Sequence, residues 1–209
     1  MSEKIIRVWD PLVRVFHWSL VVAFIVAWFS GEEESLVHVY AGYVILGLLV
    51  FRIVWGLVGP RYSRFSNFLY SPGRTIRYMR SLLSPNPEHY TGHNPAGGWM
   101  IMLLLVSLLI SVYTGLEVYG AEGQGPLAAG SPGVEWVATA RADDDSDDEH
   151  DGDHDNDAEE FWEELHEFFA NFTLFLVFVH VAGVLVASYV HRENLVKAMI
   201  TGRKRASEE

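Results

Sequence analysis

Four stretches of about twenty apolar residues, separated by blocks that hold nearly all the charge, restrict this 209-residue chain to few folds. They run over about residues 12–29, 36–58, 99–116 and 165–190. A hydrocarbon core about 30 Å thick needs about 20 residues of helix, and each stretch approaches or exceeds that length. In lipid every backbone N–H and C=O must be satisfied within the protein, so isolated spans of this kind are helices. The expected fold is an all-α membrane protein, a four-transmembrane-helix bundle forming a single domain over residues 1–209.

Charge sets the expected orientation. Fourteen of the fifteen Lys and Arg lie before or at the start of the first stretch, near the end of the second or between it and the third, or after the fourth; only Arg141 lies opposite. The positive-inside rule then places both termini and the middle loop in the cytoplasm. These basic blocks flank spans, so no nucleic-acid partner is expected. In the middle loop, residues 75–83 interleave Ile76, Met79, Leu82 and Leu83 with arginines, which predicts a short amphipathic helix against lipid head groups. The opposite side holds Glu32, Glu33, Glu34 and a long loop, within which residues 143–160 read DDDSDDEHDGDHDNDAEE. Such a run cannot bury enough apolar surface to fold alone, so residues 120–160 are expected to form a disordered acidic periplasmic loop.

The chain has no cysteine. That excludes covalent CxxCH haem, cysteine-bound iron–sulfur clusters, disulfides and thiolate zinc sites. A redox metal would need histidine, methionine or oxygen ligands, and a non-covalent b haem fits. The first stretch lacks a convincing cleavage site after a short apolar core and reads as a retained anchor.

Histidine spacing carries the chemistry. His166 and His180 are fourteen positions apart on the fourth stretch. Fourteen residues turn through about 1400°, about 40° short of four turns, so both leave one helix face about 21 Å apart. His17 lies near the inner end of the first stretch and His38 near the outer end of the second. Depths therefore match in two pairs, His17 with His180 and His38 with His166, each able to clamp one haem iron from both faces. Gly42, four residues after His38, and Gly183, three after His180, would let a flat macrocycle lie against the helix; Gly47 is a further candidate. A lone interfacial histidine is commonly just a tolerated polar residue. An ionisable group within a span is costly, however, and His180 sits in the apolar FVHVAG.

Arg52 follows His38 by fourteen residues and so shares its face at the inner end. Its fork suits a propionate of the inner haem, while a snorkelling arginine at the membrane border is the plain alternative. Arg14, one turn before His17, offers a weaker version of the same contact. His89, His93, His150, His154 and His191 read as loop or solvated histidines, with His93 and His191 as lesser candidates for quinone or propionate contacts.

The segments RVWDPLVRVFHW, LVHVYAGYVILGLLVFRIVWGLVGPRYSRF, GHNPAGGWM and LHEFFANFTLFLVFVHVAGVLVASYVHRENLVKAMITGRK resemble the prokaryotic cytochrome b561 family. That family is related to the b-type subunits of membrane nickel–iron hydrogenases. The resemblance spans nearly the whole chain apart from about residues 120–160. It implies a four-helix inner-membrane protein with two b haems, moving electrons between the quinone pool and a partner. By residue match its ligands are His17, His38, His166 and His180, the set that spacing selects. The long acidic loop departs from the family core.

The expected function is thus a transmembrane electron conduit holding two haem b, with a quinone at one end. A periplasmic c-type cytochrome or other redox subunit meets the other end, steered by the acidic loop in a salt-sensitive manner. An alternative is a stand-alone oxidoreductase that uses quinone and a small oxidant, superoxide or a metal ion. A haem-free divalent-metal transporter is a third reading, but the spans contain almost no carboxylates to ligate such an ion. No motif decides between a monomer and a homodimer.

Overall fold

The computed structural model describes residues 5–31, 35–82, 84, 88, 90, 92–128 and 151–205. Helix α1 covers Pro11–Ser30. Asp10 starts it, its Oδ1 accepting from the backbone N–H of Leu12 at 2.9 Å and Val13 at 3.1 Å, with proline following at the first position. Helix α2, Leu36–Val58, is capped by Ser35 and ends at Gly59, whose N–H donates to the Trp55 carbonyl. A 3-10 turn at Phe65–Asn67 leads to α3, Pro72–Ser81, close to the expected amphipathic segment. Tyr78 turns inward at 1% exposure while Ile76 and Met79 stay exposed.

Helix α4 covers Pro95–Ala121 and α5 covers Asp151–Val190. Four helices, α1, α2, α4 and the 159–190 part of α5, are long and apolar enough to cross a membrane. Two of them start earlier than hydropathy alone suggests. Asn94 caps α4, its Oδ1 accepting from the Gly97 N–H at 2.7 Å, so the Asn94–Gly98 lead-in is itself the first turn. The α5 backbone is already helical from Asp151, where carboxylates favour a helix N-terminus. Residues 129–150 of the acidic loop, with Arg141, and Glu32 to Glu34 lie outside the described residues.

The helical fold carries one short addition near residues 5–7 and 203–205. Strand β1, Ile5–Arg7, pairs antiparallel with β2, Arg203–Arg205, with Ile5 opposite Arg205. Between α5 and β2 lies a short helix α6, Leu195–Thr201, which ends at Gly202 with φ of 77°. Strands of three residues carry too little periodicity to stand out in a basic tail.

The chain divides into two compact units, one formed by residues up to Leu105 and from Phe175 onward, the other by Val106–Leu174. In the first, α1 packs on α2. Ala41, Ile45, Leu49, Arg52 and Gly56 recur every three or four residues and line the buried face of α2. Val15, Val22, Phe29, Tyr40 and Leu57 point outward, as lipid-facing residues do. In the second unit, the buried Ser107 and Thr173 hydroxyls meet at 2.5 Å, a polar clasp between α4 and α5.

Asp10 ties α1 to its surroundings. Its Oδ2 accepts from the Ser63 hydroxyl at 2.5 Å and from the Trp55 indole at 3.4 Å. Burial alone would raise its pKa. Hydrogen bonds from Ser63, the Val13 N–H, Trp55 and the Leu12 N–H outweigh that and hold it below 3.8. A carboxylate whose pKa is lowered on folding adds stability above its ordinary value and loses it as pH falls through the folded one. Asp10→Ala is expected to cost about 1–2 kcal/mol at pH 7. The gap from wild type should narrow towards pH 3, read by thermal unfolding in mild detergent.

Candidate functional site

The chain's end helices bring two of the four selected histidines together. His17 of α1 and His180 of α5 are close enough to interact electrostatically, although 163 residues separate them. The Nδ1 of His17 is sealed from solvent and has no hydrogen-bond partner among the described residues. Beside His180, a Cβ added to Gly183 would meet nothing within 4 Å, and the same holds at Gly42 and Gly47 of α2. These are open faces of the kind a flat ring needs.

The other two histidines are held differently. His38 shares its Nδ1 with the Ala27 carbonyl at 2.9 Å, across the α1–α2 turn. His166, in the second unit, shares its Nδ1 with the Ser111 carbonyl at 2.8 Å and lies 3.3 Å from the Thr114 hydroxyl. A carbonyl can only accept, so both bonds make Nδ1 the N–H and leave the lone pair on Nε2, the tautomer that metal-ligating histidines use. Gly115 backs the His166 ring, where a Cβ would come within 2.9 Å of Cε1. No spacing argument singled out Gly115; its signal is position alone, one turn after Ser111. His38 and His166 belong to separate compact units.

Both arginines are committed to protein groups. Arg52 is 3% exposed, donates from Nη1 to the Ser63 carbonyl at 3.1 Å, and sits 4.7 Å from the Phe65 ring centre. It therefore does not snorkel outward. Arg14 donates from Nη1 to the Ile200 carbonyl at 2.5 Å, closing the end of α6, while its Nε is sealed without a partner among the described residues.

His93 keeps its expected place in the loop before α4, but its surroundings differ from the solvated ones expected. It is no solvated loop histidine: its ring lies between Trp9 at 4.4 Å and Phe68 at 4.5 Å. Its Nδ1 is also sealed and unpartnered among the described residues. Burial, followed by the charges of Arg52, Lys204 and His180, pushes its pKa down to about 3, so the ring is neutral at physiological pH. Lys204 closes this end of the unit, donating to the Tyr90 carbonyl at 2.7 Å and pairing with Glu193 at 3.2 Å. His191 likewise meets a buried group, the Tyr78 hydroxyl, at 3.3 Å. Burial first, then Tyr90 and Glu88, pushes the Tyr78 hydroxyl up to about 12. His89 and His150 fall outside the described residues, and only the backbone is described at His154.

Histidine and carboxylate groups dense enough to cage a bare metal ion are absent among the described residues. Imidazoles carried by α1, α2 and α5 beside glycine faces suit a metal that arrives with its own macrocycle.

Comparison with known proteins gives the chain's relatives. A probable Ni/Fe-hydrogenase B-type cytochrome subunit of Cupriavidus necator is 24% identical over 151 positions, covering 59% of this chain and 62% of the relative. A protein of the same description from Rhizobium leguminosarum bv. viciae is 24% identical over 155 positions, covering 60% and 64%. The chain thus spans less than two thirds of the length of these relatives. No solved structure matches it. The profile of the prokaryotic cytochrome b561 family matches residues 8–202, nearly the whole chain, and the protein therefore belongs to that family.

Proposed function

We propose that this chain is a di-haem b-type cytochrome that carries electrons across the bacterial inner membrane between the quinone pool and a periplasmic redox partner. The observation that supports the reading is that His17 lies within electrostatic reach of His180, with the His17 Nδ1 sealed and, among the described residues, unpartnered. An imidazole in an apolar span, left with an unsatisfied nitrogen, is costly unless a ligand completes it. Haem b bound between two such imidazoles supplies one-electron redox chemistry.

His17 and His180 hold the inner position, and His38 and His166 the outer one. The Ala27 and Ser111 carbonyls fix the outer rings in one tautomer and orientation, which favours ligation through Nε2. Gly42 and Gly183 leave room for the macrocycle, and Arg52 and Arg14 supply positive charge near the inner propionates. The basic blocks favour cytoplasmic termini, which directs the outer site and the acidic loop to the periplasm. Hydrogenase subunits among the relatives support a redox subunit as the partner, with membrane lipid and quinone as the other contacts.

The test is haem content by pyridine haemochrome on protein purified in mild detergent, followed by an optical redox titration. The expected result is two b haems per chain, low-spin, with two midpoint potentials. Folded protein without haem would end this reading.

A further inference from the structure

We propose that His93 is a positioning residue for the inner haem, donating a hydrogen bond from its ring to a propionate of the group held between His17 and His180. This rests on the bis-histidine reading above and extends it to a residue outside the spans.

Three buried nitrogens of the first unit have no partner among the described residues: Arg14 Nε, His17 Nδ1 and His93 Nδ1. Completion of His17 by a metal is already argued. Arg14 Nε can only donate, and His93, neutral and wedged between Trp9 and Phe68, has an N–H to offer in one of its two tautomers. The ring cannot swing towards solvent without breaking both aromatic contacts, at 4.4 and 4.5 Å. It also feels the charges of Arg52, Lys204 and His180. His93 therefore lies among two cations and a proposed ligand. Arg52 bonds a neutral carbonyl there, and Lys204 already has Glu193. Cations and spare donors beside a proposed haem ligand suit the carboxylates that haem b brings with it. A buried donor left unsatisfied costs about 1–3 kcal/mol, and a bond to a charged group repays about as much.

The test compares wild type, His93→Phe and His93→Gln. Phenylalanine keeps the aromatic packing and removes the donor; glutamine restores an N–H. Wild type is first shown to carry two haems; one or none would defeat the parent reading before any variant is made. The expected result is that His93→Phe retains both haems and lowers the midpoint potential of one. A less compensated propionate favours the ferric form. The ferric-to-ferrous ratio at fixed potential should rise about tenfold, which is about 59 mV for one electron. His93→Gln should recover most of the shift.

Wild type reconstituted with haem dimethyl ester is the second measurement and does not depend on a variant folding. Blocking the carboxyl charge should weaken binding at one of the two positions at least about tenfold. Unchanged potentials in His93→Phe with both haems bound would overturn the proposal, as would equal affinity for haem and its ester. So would a variant that alters only the KM for quinone.

Discussion

Replacing His180 with alanine is expected to remove one of two haems and leave the other. The spectrum should keep the low-spin bands of the surviving site, and the pyridine haemochrome ratio should fall from about two to about one per chain. His180 is the only selected histidine deep within its span, and its imidazole is coupled to His17 across the first unit. Without it, His17 alone would face the ring, and a six-coordinate low-spin centre needs both. His17→Ala should give the same loss, and the double variant no further loss, because the two side chains serve one site. Removal of both haems by either change would break the proposed pairing. Loss of His38 should instead empty the other position, where the ring is pinned to the Ala27 carbonyl at 2.9 Å.

Gly98→Ala should damage the protein through packing rather than ligation. A methyl there would overlap the backbone carbonyl oxygen of Phe68 and crowd its Cδ2 at 3.4 Å. A backbone oxygen cannot step aside as a flexible side chain can, so the loop must shift. Overpacking of this kind costs about 1–3 kcal/mol. Phe68 is 2% exposed, forms one plate of the His93 clamp, and lies 5.9 Å from the Arg52 guanidinium. Thermal unfolding should therefore start at lower temperature, with the inner haem released before the outer. Gly73→Ala is the control, since a Cβ there meets nothing within 4 Å. It should leave melting and haem content unchanged.

The four spans were readable because lipid demands length and apolarity over some twenty residues, a signal no tertiary detail can hide. Span edges were less readable where capping decides them: Asn94 and Pro95 look like a loop until the Gly97 N–H is seen on the Asn94 side chain. Spacing also placed Arg52 on the right face, but not its stacking on Phe65, because a turn after the helix brings that ring back. The enclosed surroundings of His93 were hidden for the same reason. Its neighbours in sequence are glycine, asparagine and proline, whereas the rings that bury it, Trp9 and Phe68, come from distant segments. Arg14 was legible only as a charge near His17; its bond to the Ile200 carbonyl depends on where the far end of the chain returns.

The pairing of β1 with β2 has a consequence for biosynthesis. Residues 5–7 leave the ribosome long before their hydrogen-bond partners, residues 203–205. The ribbon, together with the lock of Arg14 on Ile200, can therefore close only after the fourth span has been threaded into the bilayer with its end on the correct side. A chain with a misplaced last span would keep an open strand edge and an Arg14 without its Ile200 contact.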